Sequence, residues 1–133
     1  MKKYLISICA VAFLGLCFAS CSKEAGEGGT SSVFGKVYVK DYNSTYTVLQ
    51  DEYYAPEEDV YIVYGDDRTF SDHVNTNYDG TFEFKYLRKG TYHIYAYSED
   101  STLQSSGKYA VIRDVEITKN SQEVETSEIV IYK

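Results

Sequence analysis

The run Asp79-Gly80-Thr81-Phe82-Glu83-Phe84-Lys85-Tyr86-Leu87-Arg88-Lys89-Gly90-Thr91-Tyr92-His93-Ile94-Tyr95-Ala96-Tyr97 decides the fold class. Asp79-Gly80 is a strong hairpin-turn signal, with Gly80 supplying the positive φ that such turns need. Phe82, Phe84 and Tyr86 then recur at every second residue, which puts all three aromatics on one side of a strand. Lys89-Gly90 turns the chain again. In the strand that follows, Tyr92, Ile94 and Ala96 read inward, and His93, Tyr95 and Tyr97 read outward.

The same period extends in both directions. Val33, Val37 and Val39 share a face in the first mature strand, and Val60, Ile62 and Tyr64 alternate in the next. A weaker strand is expected around Ser71 to Asn77, and two more near Tyr109 to Thr118 and Glu123 to Tyr132. Helical periodicity is absent after Cys21. The expected fold is all-β, a seven-stranded antiparallel Greek-key sandwich of two sheets. Asp41 to Asp59 reads as a long acidic loop, with Thr45 to Leu49 as an optional short strand, and Ser98 to Gly107 as a polar connection.

The N-terminus reads as an export signal. Lys2 and Lys3 precede an apolar segment from Leu5 to Leu16, too short to span a bilayer comfortably, since spanning takes about 20 apolar residues. Of the three cysteines, Cys9 lies within the apolar run and Cys17 follows bulky Leu16. Cys21 follows Phe18-Ala19-Ser20 and precedes a hydrophilic stretch, so this segment resembles the lipobox of bacterial lipoproteins, departing from it at Phe18. The resemblance implies cleavage after residue 20, acylation of Cys21 and anchoring by two or three acyl chains. One acyl chain and a second signal already give stable anchoring. The mature chain would then have no second cysteine for a disulfide. Ser22 to Ser32, rich in Gly and Ser, reads as a flexible tether, leaving residues 33–133 as one sandwich domain. Ser22 after the cysteine resembles lipoproteins sent to an outer membrane, and Lys23-Glu24 resembles part of the surface-export signal of Bacteroidetes lipoproteins. Periplasmic and cell-surface orientations both stay open.

Charge narrows the partners. The chain has 13 Lys and Arg against 20 Asp and Glu. Removing Lys2 and Lys3 leaves 11 against 20, a net charge of −9. Nucleic acid is disfavoured, because phosphate binding needs clustered Lys and Arg.

Gly35-Lys36-Val37, Val60-Tyr61-Ile62, the run Thr76 to Phe84, Leu87, Gly90-Thr91-Tyr92-His93-Ile94 and the Val-bearing final strands resemble carboxypeptidase regulatory-like domains, within the transthyretin-like or prealbumin-like sandwiches. The resemblance spans essentially all of Val33 to Lys133 and is most specific from Asp79 to Ala96. It implies a spacer, stabilising or binding module, with no catalytic residues and no cofactor. Relatives that crosslink Lys to Asn need an asparagine in the last strand, and Glu123 to Lys133 has none.

No catalytic or metal constellation emerges from the residues. His73 and His93, the two histidines, read as surface residues, and without a mature free cysteine thiol chemistry and Cys-based zinc sites drop out. Asp66-Asp67 with Asp72, and Asp51-Glu52 with Glu57-Glu58-Asp59, lack calcium-loop spacing and read as solvated acidic loops. The binding candidates are Tyr38, Tyr61, Tyr95 and Tyr97, which alternate away from the expected core, and Tyr53 with Tyr54 in the long loop. Outward tyrosines can stack on a sugar or peptide, or simply cover a sheet face in cross-strand pairs. The expectation is a lipid-anchored outer-membrane module, non-enzymatic, meeting a glycan, a peptide or an envelope protein. The alternative is a subunit of a fimbria-like fibre that pairs through edge strands.

Overall fold

The computed structural model describes residues 24–104 and 106–133. Residues 1–23, which hold the expected export signal and the expected acylation site Cys21, lie outside the described residues. Among the described residues there are nine strands and no helix: β1 (Glu27–Tyr42), β2 (Leu49–Tyr54), β3 (Asp59–Tyr64), β4 (Asp72–Asn75), β5 (Thr81–Leu87), β6 (Gly90–Glu99), β7 (Lys108–Ile117), β8 (Glu123–Glu125) and β9 (Ile129–Tyr132).

They form two sheets. One has the order β4-β3-β6-β7, antiparallel throughout. The other is organised around the long β1. Antiparallel β5 and β2 follow one another along one edge of β1, and parallel β8 and β9 follow one another along the other. The handover between β5 and β2 is at Val37: its N–H donates to the Gly80 carbonyl at 3.0 Å and its carbonyl accepts from Ala55 N–H at 2.9 Å. The all-antiparallel expectation therefore fails at β8 and β9. The single strand expected from Glu123 to Tyr132 is split by polar Thr126-Ser127-Glu128, with each half pairing a different part of β1.

The alternation read from the sequence sets the core. Val33, Val37 and Val39 from β1, Phe82 and Phe84 from β5, and Ile129 and Ile131 from β9 are buried. They meet Val60, Ile62, Tyr92, Ile94, Ala96, Val115 and Ile117 of the other sheet in one hydrophobic cluster, as in a sandwich. Each such apolar side chain contributes about 1.5–3 kcal/mol on burial.

Three expectations need correction. Tyr86 does not join Phe82 and Phe84: it adopts φ 59° and is 71 % exposed, and Leu87 is buried instead. The left-handed residue inserts an extra position, a bulge that shows in the shifted β1–β5 register around Leu87. Asp41 to Asp59 is not one long loop, because β2 occupies Leu49–Tyr54. Thr45–Leu49, offered as an optional short strand, is instead mostly a turn, in which the Asn43 carboxamide oxygen accepts from the Thr47 and Val48 amides at 2.9 and 3.0 Å. Finally, β1 begins at Glu27, so Glu27 to Ser32, read as tether, is strand, and Ser31 and Ser32 are buried.

A candidate aromatic binding face

Five of the six candidate tyrosines fall on the two outer faces of the sandwich, and Tyr53 joins neither. Tyr61, Tyr95 and Tyr97 lie on the outer face of the β4-β3-β6-β7 sheet, because each alternates with a buried neighbour (Ile62, Ile94, Ala96). Registers place His73, Tyr61, Tyr95 and Ile112 opposite one another, one per strand, as a row across this sheet. The Tyr61 ring stacks on Tyr95 (centroids 5.2 Å, planes at 16°) and on His73 (5.7 Å, 26°). Since β4 and β6 flank β3, these two neighbours cover opposite faces of Tyr61. Phe70 and Tyr97 meet Tyr61 edge-on, at 5.0 and 5.6 Å, and Tyr97 also meets Tyr95 edge-on at 5.4 Å. Such ring pairs each contribute about 0.5–1.5 kcal/mol beyond area burial.

On this face solvent meets other residues more than it meets half-buried Tyr61. Phe70 is 48 % exposed, Tyr97 42 % and Ile112 52 %. Polar groups border the rings. Asn75 donates to Asp59 at 2.9 Å on one side, and His93 pairs with Asp114 at 2.6 Å on the other. Burial pushes the Tyr95 phenol up to about 12, with help from its hydrogen bond to Tyr97 and the nearby Tyr97 and Tyr61 phenols. Tyr61 is raised as well, by burial first and then by Asp59. Both hydroxyls stay neutral at ordinary pH and can donate or accept hydrogen bonds.

Tyr38 belongs to the other sheet. It opposes Tyr54 across β1 and β2, and their rings meet edge-on at 5.1 Å. Lys36 Nζ sits 4.6 Å from the Tyr54 ring centroid. Tyr54 is raised by its hydrogen bond with Glu128, and Tyr38 by burial and then by Glu52. Tyr53, next to Tyr54 in β2, projects from the opposite side of that strand and opposes Val39. The two loop tyrosines thus do not form one site.

The sequence reading missed Phe70, and it set His73 aside as a surface residue. Phe70 sits outside any strand, in the polar segment Gly65 to Ser71, where no alternation marks it. A lone aromatic among Asp, Arg, Thr and Ser was the available signal. The His93 side chain faces outward as expected, and its Nδ1 pairs with Asp114. Among the described residues no three metal-ligating side chains converge, and no helix is long and apolar enough to cross a membrane.

No family model matches the chain, and no curated protein matches it. A solved structure of a candidate carbohydrate binding protein from Pseudomonas aeruginosa is similar over 82 % of this chain and 92 % of its own, with 11 % identity and a TM-score of 0.48.

Proposed function

We propose that this chain is a lipid-anchored, non-catalytic binding module of the bacterial envelope, and that it holds a glycan on the outer face of the β4-β3-β6-β7 sheet. One observation carries the reading: Phe70 and Tyr97 present large exposed rings on a bed of stacked aromatics, with polar groups at the border. Apolar ring surface favours the C–H faces of a sugar, and the bordering Asp59, Asn75, His93 and phenol groups can bond its hydroxyls. The net charge of the chain disfavours acidic polymers, so a neutral saccharide is the expected class. Placement among carboxypeptidase regulatory-like lipoproteins of the outer membrane is part of the same proposal. Its fold part is supported by the Asp79-Gly80 turn and by Phe82, Phe84 and Tyr92 in the core.

A glycan array with the native chain, followed by titration of the hits, tests it. Phe70→Ala with Tyr97→Ala should weaken binding by about tenfold or more, the size of a lost central aromatic anchor. Tyr38→Ala, on the opposite sheet, should leave it unchanged. A native chain that binds no glycan, or a folded double variant that binds as well as native, would overturn the reading.

The fibre alternative rests on β2, an edge strand whose six residues are all exposed. Asp51 and Glu52 place like charges along that edge, which opposes pairing with a second copy. Sedimentation should therefore show a monomer, and concentration-dependent polymers would favour the fibre.

A further inference from the structure

The start of the described chain is fastened to the sandwich. The Gly26 N–H donates to the Tyr92 hydroxyl at 2.9 Å, and that hydroxyl donates to the Arg88 carbonyl at 2.7 Å. In return the Arg88 N–H donates to the Gly26 carbonyl at 2.8 Å, and Arg88 Nε donates to the Glu24 carbonyl at 2.7 Å. Gly26 and the Tyr92 ring are buried, and Ala25 packs against the core. Ala25 also lies so close to Gly90 that a Cβ there would stand 2.6 Å from the Ala25 Cβ, so Gly90 serves this docking as well as the turn. These are not the contacts of a free linker.

From this clamp we infer that the sandwich is held end-on to the bilayer, with the Arg88–Lys89 turn at the lipid headgroups. The inference rests on the proposed acylation of Cys21. Three residue steps separate Cys21 from Glu24, a reach of at most about 11 Å. The clamped pole therefore stays at the membrane, whereas an eleven-residue coil would let the domain tumble. The turn itself carries two cations, Arg88 and Lys89, in a chain that is acidic overall, and basic groups at the surface favour anionic headgroups. Strand β1 leads away from this pole to the Asn43–Val48 turn: Ser31 is level with Leu87, and Ser31 to Tyr42 covers about 36 Å along the strand. The aromatic face then stands off the lipid, open to a ligand arriving from the side.

The acylated mature chain is reconstituted in phosphatidylcholine vesicles that carry a headgroup-attached collisional quencher. A fluorophore is placed through Lys89→Cys in one sample and Ser44→Cys in another, Cys21 being blocked by its acyl group. Emission should be lost at position 89 and retained at position 44. Tyr92→Phe, which keeps the ring and removes the hydroxyl, should speed hydrogen exchange at Gly26 and shrink the contrast between the two positions. Equal quenching at both positions on vesicle-bound protein overturns the orientation, as does an unchanged contrast in Tyr92→Phe. A chain without acyl mass would fail to float with the vesicles, and that result would overturn the anchored reading itself.

Discussion

Both sheets turn tyrosines to solvent, yet their outer faces are built on different terms. On the β1-centred sheet Tyr38 and Tyr54 are interleaved with charge: Lys36 lies over the Tyr54 ring, and Glu52 and Glu128 act on the two hydroxyls. On the β4-β3-β6-β7 sheet the neighbours of Tyr61 are other rings, and the His93–Asp114 pair sits at the border. A tyrosine surrounded by charged side chains is already served as sheet cover. A ring cluster with exposed members is apolar surface that still gains by being covered. Exposure of single tyrosines does not distinguish the two faces: Tyr54 is 43 % exposed and Tyr97 42 %. Their neighbours do.

The strongest way to break this comparison is to ask whether inner and outer positions of β6 differ as claimed. Ile94→Ala removes a fully buried side chain and should cost about 2–5 kcal/mol in chemical denaturation. Tyr97→Ala, three residues on and facing out, should cost less, about 1–3 kcal/mol, the scale of its two lost ring contacts. Similar losses for both would mean that the outer cluster is structural rather than available to a ligand.

Gly80→Ala probes the charged side next. Gly80 has φ 77°, and a Cβ there would stand 2.8 Å from the Tyr54 Cβ and 2.9 Å from the Val37 carbonyl. A loss of about 1–3 kcal/mol is expected. Binding at the aromatic face should be untouched, and a melting curve with a titration on the same sample checks both.

Lys36→Met keeps the stem and removes the cation. About 0.5–1 kcal/mol should be lost, the scale of an exposed cation–π contact, and the effect should shrink at high salt.

The last expected effect is confined to alkaline pH. The Tyr64 and Tyr95 phenols are both raised to about 12, by burial first. Their unfolded value is about 10, so the folded state favours the neutral form. This contribution is fully present below about pH 10 and is lost as pH rises through about 12. Thermal melts across that window should show a decline, reduced in Tyr95→Phe. A flat profile would mean that the outer rings are more solvated than their packing implies.

The hairpin was largely legible because its information is local. Asp79-Gly80, Phe82 and Phe84, and the alternation from Tyr92 to Tyr97 all report on neighbours within a few residues, and β6 is buried on the predicted side throughout. Tyr86 shows where that logic stops. Nothing at positions 82 to 86 announces a left-handed residue, because the bulge serves the pairing of Leu87 with Glu27 and Ser31, more than fifty positions earlier. The clamp was half visible. A Tyr92 that turns its ring inward was expected from the sequence, but the partner of its hydroxyl, Gly26, lay in a stretch whose Gly and Ser content reads as coil.

By itself the sequence determined that this is a β protein, which side of its central strands faces the core, and that an apolar run precedes Cys21. Period-two patterning and turn residues act over a few bonds, so one chain read in order is enough to see them. Only the tertiary structure decided which outward tyrosines meet. Cross-strand register brought Tyr61 between His73 and Tyr95, placed Tyr38 beside Tyr54 on the far side, and drew Phe70 out of a featureless loop. Register is settled by packing two whole sheets against each other, a cooperative outcome that no single stretch of residues contains.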